Sequence, residues 1–114
     1  MFSIIVPSFN NLNYLKLCIK SLKKNSKFVH EIIVHVNEGT DGTLDYVVNN
    51  NLMHTHTEKN VGLCTAVNLA AAKSTTEYIV FAHDDMYFCP GWDVALDSQI
   101  NQLNTKAYFL SGTM

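Results

Sequence analysis

The sequence predicts an α/β domain built on a mostly parallel, doubly wound sheet with helices on both faces. Short apolar, β-branched runs alternate with segments whose apolar residues recur at helical spacing, and this strand–helix order repeats four times. The apolar runs lack polar alternation, as strands covered on both faces do. Polar, glycine-bearing segments follow the runs, at the positions where open parallel sheets bind ligands.

Five apolar runs are predicted as the strands of this sheet. The first run, FSIIV, is closed by Pro7, and the weakest run is the alternating LMHTHT. The predicted strands cover residues 2–6, 31–36, 52–57, 77–82 and 107–111.

Four segments between these strands are predicted as helices. In the first, apolar residues lie three or four positions apart, and Asn10 or Asn11 is available as the N-cap. Asp41 is expected to cap the second helix more than to bind a ligand. The third is an alanine-rich helix over residues 62–73, and an apolar stripe that starts at Trp92 predicts the fourth.

Length and composition fit one globular domain or part of one. The chain has 114 residues, of which 47% are hydrophobic and 16% are charged. No apolar run approaches the ~18 residues of a membrane span, and the N-terminus lacks the charged segment of a signal peptide. The three cysteines are odd in number and widely spaced, which predicts a reducing, cytoplasmic location.

All eight basic residues are lysine, and the formal net charge is −2. A slightly acidic chain without arginine is a poor general nucleic-acid binder, and it lacks the bidentate clamp that arginine offers a phosphate. A phosphate ligand would therefore have to be held by backbone N–H groups, lysine or a metal ion.

His83, Asp84 and Asp85 directly follow the apolar run YIVFA. Two adjacent carboxylates repel each other unless a counter-charge is present, and a divalent cation would supply it. Oxygen ligands suit Mg²⁺ or Mn²⁺, and the histidine favours Mn²⁺. The alternative is a solvated acidic turn, but the position after a buried strand favours a metal site.

Three other polar segments follow predicted strands and are candidates for contacts with a nucleotide. Asn37 and Glu38 lie in a glycine-containing loop that could approach a base or ribose closely. Ser8 follows Pro7 at the end of the first strand, and Asn10 beside it is either a nucleoside contact, a helix cap or both. The segment from Lys59 to Gly62 opens a helix whose N-terminal amides favour an anion, although a surface lysine is the commoner reading.

The other histidines and one cysteine are expected to be structural. His54 and His56 share one face of a strand and could chelate zinc, but two histidines without a third ligand are weak evidence. His30 and His35 are expected to support the fold, and Cys18 is expected in the core.

Five lysines lie along one side of the first predicted helix. Such a stripe is usually a solvated face, although it also suits peripheral contact with an anionic membrane. The five are Lys16, Lys20, Lys23, Lys24 and Lys27.

Four motifs occur in order along most of the chain, from Phe2 to about Trp92. They are FSIIVPSFN, then EIIVHVNEGTDGT, then KNVG with AVN and TTEYIVFAHDD, then PGW. Together they resemble the nucleotide-sugar-binding half of the family 2 glycosyltransferases, which have the Rossmann-like GT-A fold. The resemblance implies transfer of a sugar from a nucleoside diphosphate donor to an acceptor, with Mn²⁺ or Mg²⁺ at a D-x-D motif.

The resemblance also implies the site residues. His83 stands at the first D-x-D position, so metal binding rests on Asp85 with Asp84 beside it. The acidic pair common after the second strand is replaced by Asn37 and Glu38, and Val67 stands where an arginine is often found. The implied nucleotide-sugar-binding residues are Pro7, Ser8, Asn10, Asn37, Glu38, Asn60, Gly62, Asn68 and Asp84, and the implied metal residues are Asp85, Asp84 and His83.

Domains of this family are roughly twice this size. We therefore expect residues 1–114 to form the nucleotide-sugar-binding part of a single, truncated GT-A domain, without the acceptor-binding half and with an exposed apolar sheet face that favours self-association. No catalytic base is identified; Asp93 is expected to serve the first turn of the last helix.

The expected function is metal-assisted glycosyl transfer from a nucleoside diphosphate sugar to a saccharide, lipid-linked or protein acceptor, with no nucleic-acid partner. The alternative is a nucleotide-sugar-binding module without turnover. A doubly wound signalling or flavin domain is a third hypothesis, but phosphoacceptor receivers carry acidic residues after the first strand and this chain has none there.

Overall fold

The computed structural model describes residues 1–103, and its sheet has four strands within that range. They pair in parallel in the order β3-β2-β1-β4. The predicted fifth strand, 107–111, lies outside the described residues. The strands are β1 Ser3–Phe9, β2 Glu31–Asn37, β3 Met53–Thr57 and β4 Ile79–Phe81.

A helix follows each strand, as the sequence predicts. β4 is shorter than the predicted 77–82, although backbone pairing extends beyond it: the N–H of Ser3 donates to the carbonyl of Tyr78, and the N–H of Ala82 donates to the carbonyl of Ile5. The helices are α1 Leu12–Asn25, α2 Thr43–Asn49, α3 Leu63–Ala71 and α4 Trp92–Asn101.

The strands are buried by different helices on their two faces. On one face, alternate residues of β1 and β2 pack with α1, α2 and α4, and the cluster includes Leu15 and Val47. On the other, Ile5 and Ile33 pack against Ala70 of α3. Helices on both faces confirm the doubly wound prediction. Beyond α3 this second face is barer at β4, where Phe81, the register partner of Ile5, is 40% exposed. Self-association through this face stays a prediction.

The chain reverses its direction across the sheet at β1. It runs from β1 to β2 and β3 on one side and then crosses back to β4 on the other. Because parallel crossovers are right-handed, the reversal places α3 on the face opposite α1 and α2. The reversal also creates a crevice between the carboxyl ends of β1 and β4, which is where open α/β sheets bind ligands.

Asp41 caps two helices. Its carboxylate accepts N–H bonds from Thr43 at the start of α2 and from Leu12 at the start of α1, each at 3.1 Å. Asn11 occupies the N-cap position of α1, but its side chain makes no capping bond. Burial alone would raise the pKa of Asp41, yet hydrogen bonds from Thr43 and Leu12 lower it below the usual value. Gly42 occupies the N-cap position of α2, so Asp41 lies one residue before the predicted position, although it still accepts the first N–H of the helix. The acceptor at the start of α1 comes from 29 residues away.

The predicted structural histidines are buried in hydrogen-bond networks. His30 Nδ1 accepts the N–H of Phe2, so the proton lies on Nε2, which donates to Asp93 at 2.9 Å. His35 is fully buried between β2 and β3, where its ring nitrogens bond the hydroxyls of Thr55 and Thr57, and burial lowers its pKa.

Asp93 is a structural residue and is fully buried. Its Oδ2 accepts the N–H groups of Lys27 and Phe28 at 2.8 Å each, and its Oδ1 accepts the N–H of Val94. Burial would raise the pKa of Asp93, but these bonds and that of His30 lower it to about 2. The expectation that Asp93 serves the first turn of α4 is confirmed, and the same carboxylate also fixes the turn after α1.

In residues 1–103 no helix is long and apolar enough to cross a membrane. The three cysteines are unpaired, and only Cys18 is buried. The cytoplasmic location stays a prediction.

Candidate functional site

An open cleft of about 370 Å³ lies at the carboxyl edge of the sheet, beside the crevice between β1 and β4. All four polar segments that follow strands contribute to it, so the structure brings together what the sequence separates by about 75 residues. The lining residues are Pro7, Ser8, Phe9, Asn10, Asn11, Asn37, Asn60, Gly62, Leu63, His83 and Asp84.

Ser8 and Asp84 join the two strands on either side of the crevice. The hydroxyl of Ser8 donates to Oδ2 of Asp84 at 2.9 Å across 76 residues of sequence. Ser8 is 2% exposed, whereas Asp84 is half-buried at the cleft wall. This bond fixes the orientation of the carboxylate and is the only hydrogen bond that Asp84 accepts within residues 1–103.

Of the three predicted metal residues, two line the cleft and one lies beside it. The N–H of Met86 donates to the carbonyl of His83 and closes a turn around Asp84 and Asp85. His83 and Asp85 are exposed, and Asp85 does not line the cleft. Among residues 1–103 no group of three or more His, Cys, Asp or Glu side chains could by itself hold a metal ion. The metal-binding roles stay predictions.

Cys18 packs beneath this turn, as the core prediction requires. It is fully buried, and its thiol lies 3.8 Å from the carbonyl oxygen of His83. Burial, together with the negative charges of Asp84 and Asp85, raises the pKa of Cys18 to about 12. The thiol therefore supports the acidic turn as a neutral group that donates a weak hydrogen bond to the carbonyl of His83.

Asn37 connects three segments at the floor of the cleft. It is 4% exposed, and its Oδ1 accepts the N–H of Val61 at 3.1 Å and the hydroxyl of Thr57 at 3.3 Å. This oxygen is thus occupied in holding the loop before α3 against β2. The predicted contact of Asn37 with a base would therefore have to use the NH₂ group of its side-chain amide.

Asn10 positions the loop after β2. Its Oδ1 accepts the N–H of Gly39 at 3.1 Å, and its Nδ2 donates to the hydroxyl of Thr40 at 3.3 Å. Both Asn10 and Glu38 have positive φ, which non-glycine residues rarely adopt. Gly39 has a φ of +80°, and a Cβ there would lie 2.5 Å from Cγ1 of Val36. The loop is therefore tightly held, and the side chain of Glu38 does not line the cleft.

The segment before α3 reaches the cleft only in part. Asn60 and Gly62 line it, and Oδ1 of Asn60 accepts the N–H of Gly62 at 2.9 Å. The predicted residue Asn68 is exposed further along α3 and does not line the cleft, and neither does Lys59.

Three lining residues were not predicted as contacts. Phe9 is 48% exposed at the end of β1, although a phenylalanine after a buried strand would ordinarily be assigned to the core. Asn11 and Leu63 follow the predicted segments by one residue each. The sequence signal that could have identified them is their adjacency to the predicted segments, since consecutive residues of a loop often line the same cleft.

The histidine pair of β3 is engaged with backbone carbonyls. His54 Nδ1 bonds the carbonyl of Leu52, and His56 Nε2 bonds that of Glu38, each at 2.9 Å. These contacts give both rings a structural role and fix the exit of β2.

Two solved structures that share this fold are complexes with nucleotide sugars. TarS residues 1–349 from S. aureus, in complex with UDP-GlcNAc, is 28% identical with a TM-score of 0.79, over 89% of this chain and 31% of that chain. The mannosyltransferase PcManGT from Pyrobaculum calidifontis, in complex with GDP-Man and Mn²⁺, is 23% identical with a TM-score of 0.72, over 92% of this chain and 32% of that chain. The second likeness shows the fold alone.

The chain spans about a third of the length of these proteins. A search of the curated proteins gives no match. The model of Glycosyl transferase family 2 matches residues 3–109, which is nearly the whole chain. The fold class and the resemblance seen in the sequence are thereby confirmed, and the chain belongs to glycosyl transferase family 2.

Proposed function

We propose that this chain forms the donor-binding part of a glycosyltransferase, which binds a nucleoside diphosphate sugar for transfer to an acceptor. The observation that carries this proposal is the Ser8–Asp84 bond, which holds a carboxylate at the wall of a cleft at the strand reversal. Family membership supports the reaction type, and the UDP-GlcNAc complex of TarS supports the class of donor.

The donor set at this wall fits a hard divalent cation. Mg²⁺ and Mn²⁺ in nucleotide sites take one or two protein carboxylates and complete their coordination with phosphate oxygens and water. Asp84 would hold the ion, with Asp85 and His83 beside it. When bound, Mn²⁺ or Mg²⁺ supplies Lewis-acid stabilisation to the diphosphate leaving group.

The protein's own groups orient the donor. Ser8 keeps the Asp84 carboxylate in one rotamer, and Asn10 holds the loop after β2 at the cleft rim. The first N–H groups of α3 follow the cleft residue Gly62, where they favour negative charge on a diphosphate. Lys59 lies three residues before Gly62 in the sequence, and its positive charge would add to the attraction for the diphosphate.

Deprotonation of the acceptor hydroxyl needs a base, and no carboxylate of the described residues is assigned to this role. Asp84 is the only carboxylate among the residues that line the cleft. Asp93 is buried and its oxygens accept four hydrogen bonds, so it cannot serve. This observation favours the second candidate function for the chain tested by itself, which is donor binding without efficient turnover.

Isothermal calorimetry with UDP and GDP, with and without Mn²⁺, tests the proposal. We expect Asp84→Asn and Asp85→Ala each to remove most of the Mn²⁺-dependent part of the affinity, about tenfold or more, because each removes a candidate oxygen ligand. Asp45→Asn, at an exposed position of α2, is the matched control and should bind as the wild type does. Unchanged Mn²⁺-dependent binding in both cleft variants would refute the metal assignment, and absence of nucleotide binding in the wild type would refute the function.

A further inference from the structure

Positive charge is segregated on one segment of this acidic protein. Residues 12–30, which comprise α1 and the turn after it, contain five of the eight lysines and none of the ten acidic residues. The remaining residues are correspondingly acidic. A net charge of −2 thus conceals one strongly basic surface.

Four of the five lysines lie on α1, away from its buried stripe, and Lys27 lies in the turn that follows the helix. The stripe of Leu15, Cys18, Ile19 and Leu22 is at most 1% exposed, whereas the five lysines are all exposed. Within residues 1–103 none of these lysines forms a salt bridge. We name this surface the lysine face: Lys16, Lys20, Lys23, Lys24 and Lys27.

Folding accounts for only part of the lysine face, because Lys16 alone, within the described part of the chain, makes a cation–π contact, with its ammonium 5.5 Å from the ring centroid of Tyr46. Lys23 and Lys24 in the last turn of α1 interact favourably with the helix dipole, but Lys16 and Lys20 lie too far from the C-terminus to benefit. Lys16 and Lys20, like Lys20 and Lys24, are like charges four residues apart and repel each other. The four lysines other than Lys16 have no salt-bridge partner within residues 1–103, and this concentration of like charge favours an external anionic partner.

Exposed apolar groups lie among these charges. Leu17 is 50% exposed and Tyr87 is 52% exposed, and both line a shallow depression of about 160 Å³ together with Lys20, Ser21 and Lys24. A lipid headgroup layer accepts this combination, because lysine neutralises anionic headgroups while leucine and tyrosine enter the interfacial region.

We propose that the lysine face docks on an anionic lipid surface. The partner is a bilayer rather than a nucleic acid because the face is a convex helix without arginine, whereas phosphate backbones are commonly held in grooves by arginine forks. The docked helix begins at Leu12, directly after the cleft residue Asn11. Docking along α1 would therefore set the cleft rim at the membrane surface and leave the cleft itself uncovered.

Vesicle sedimentation of the full chain tests the proposal. We expect binding to vesicles of phosphatidylcholine and phosphatidylserine in equal parts, weak or no binding to pure phosphatidylcholine, and a decline as salt increases. Lys20→Ala/Lys24→Ala should weaken binding about 25-fold, because each lysine near an anionic surface contributes about fivefold. The matched control, Lys59→Ala/Lys73→Ala, removes the same charge elsewhere and should change binding less than about twofold.

Alanine suits an exposed helix position, so the variants should fold, and circular dichroism checks this. Lys20→Gln/Lys24→Gln provides a second pair and should show the same loss. Equal binding to both vesicle types, or equal losses in the two lysine pairs, would overturn the proposal. Capture of the chain by duplex DNA or polyglutamate in preference to the mixed vesicles would do so as well, since it would assign the face to another class of partner.

Discussion

The carboxylates at the two edges of the sheet differ in how many hydrogen bonds they accept. At the amino edge, Asp93 is fully buried and Glu31 accepts bonds from Ser3 and Thr75, so hydrogen bonds lower the pKa of both carboxyl groups. At the carboxyl edge, Asp84 is half-buried and accepts one bond, from Ser8. The carboxylates at the amino edge are thus engaged in hydrogen bonds within the fold. At the carboxyl edge, Asp84 is oriented by one hydrogen bond and remains partly exposed.

This difference in hydrogen bonding separates the structural acid Asp93 from the candidate site residue Asp84 better than their sequence context does. Asp84 and Asp93 both lie after a strand or at the start of a helix, and both are within the last third of the described chain. The number of donors that each carboxylate already satisfies distinguishes them. A saturated carboxylate has no lone pair left for a ligand, and an unsaturated one in a cleft does.

The largest expected effect is on stability at the amino edge. Asp93→Ala leaves the partly buried N–H groups of Lys27 and Phe28 without their acceptor and removes the partner of His30, so it should lower the free energy of unfolding by about 3 kcal/mol. Urea unfolding followed by circular dichroism measures this. Asp97→Ala on the same helix is the control and should stay within about 0.5 kcal/mol of the wild type. Equal losses of unfolding free energy in the two variants would contradict the conclusion that the hydrogen bonds accepted by Asp93 stabilise the fold.

The pH dependence of stability should show the same contrast. The pKa of Asp93 is lowered from 3.8 to about 2 in the folded state, so its stabilising contribution is complete above 3.8 and is lost as the pH falls towards 2. The difference in unfolding free energy between the wild type and Asp93→Asn should therefore shrink on acidification through this window. Urea unfolding at a series of pH values tests it, and a difference that is constant with pH would contradict the assignment.

The smallest expected effect is on stability at the carboxyl edge. Asp84→Ala removes only the bond from Ser8, so the free energy of unfolding should fall by about 1 kcal/mol or less. The same denaturation assay measures it beside Asp93→Ala. A loss as large as that of Asp93→Ala would show that Asp84 is a structural acid too, and would weaken its proposed role in donor binding.

The alternation of strands and helices was predictable because it depends on periodicity that each segment carries by itself. β2 and the buried stripe of α1 correspond closely to their apolar patterns. β1 continues to Phe9, past Pro7 where the sequence predicts its end, because residues 7–9 pair in register with residues 35–37 of β2. The ends of β4 could not be predicted from its own residues, because they depend on pairing with β1. Only Ile79, Val80 and Phe81 pair in register with that strand. The capping of α1 by Asp41 was likewise out of reach, since the acceptor and the helix are distant in sequence.

The site was predictable as a set of segments but not as a set of side chains. The rule that ligands bind beyond the carboxyl ends of parallel strands located all four segments. It could not show that Asn37 and Asn10 use their side-chain oxygens to hold neighbouring loops, or that Phe9 faces the cleft. Those outcomes depend on which polar groups the folded backbone leaves unsatisfied, and a sequence does not display that.

The central position of β1 has a consequence for the order of folding. β1 precedes β2 and β4 in the chain, and it pairs with β2 across 28 residues but with β4 across 76, as in Ser3 with Glu31 and Ser3 with Ile79. Loop-closure entropy and synthesis order both place the second pairing after the first. Until β4 docks, one edge of β1 is open to other chains, and the cleft does not yet exist. The step that assembles the site is thus also the step that ends the exposure of this edge to aggregation.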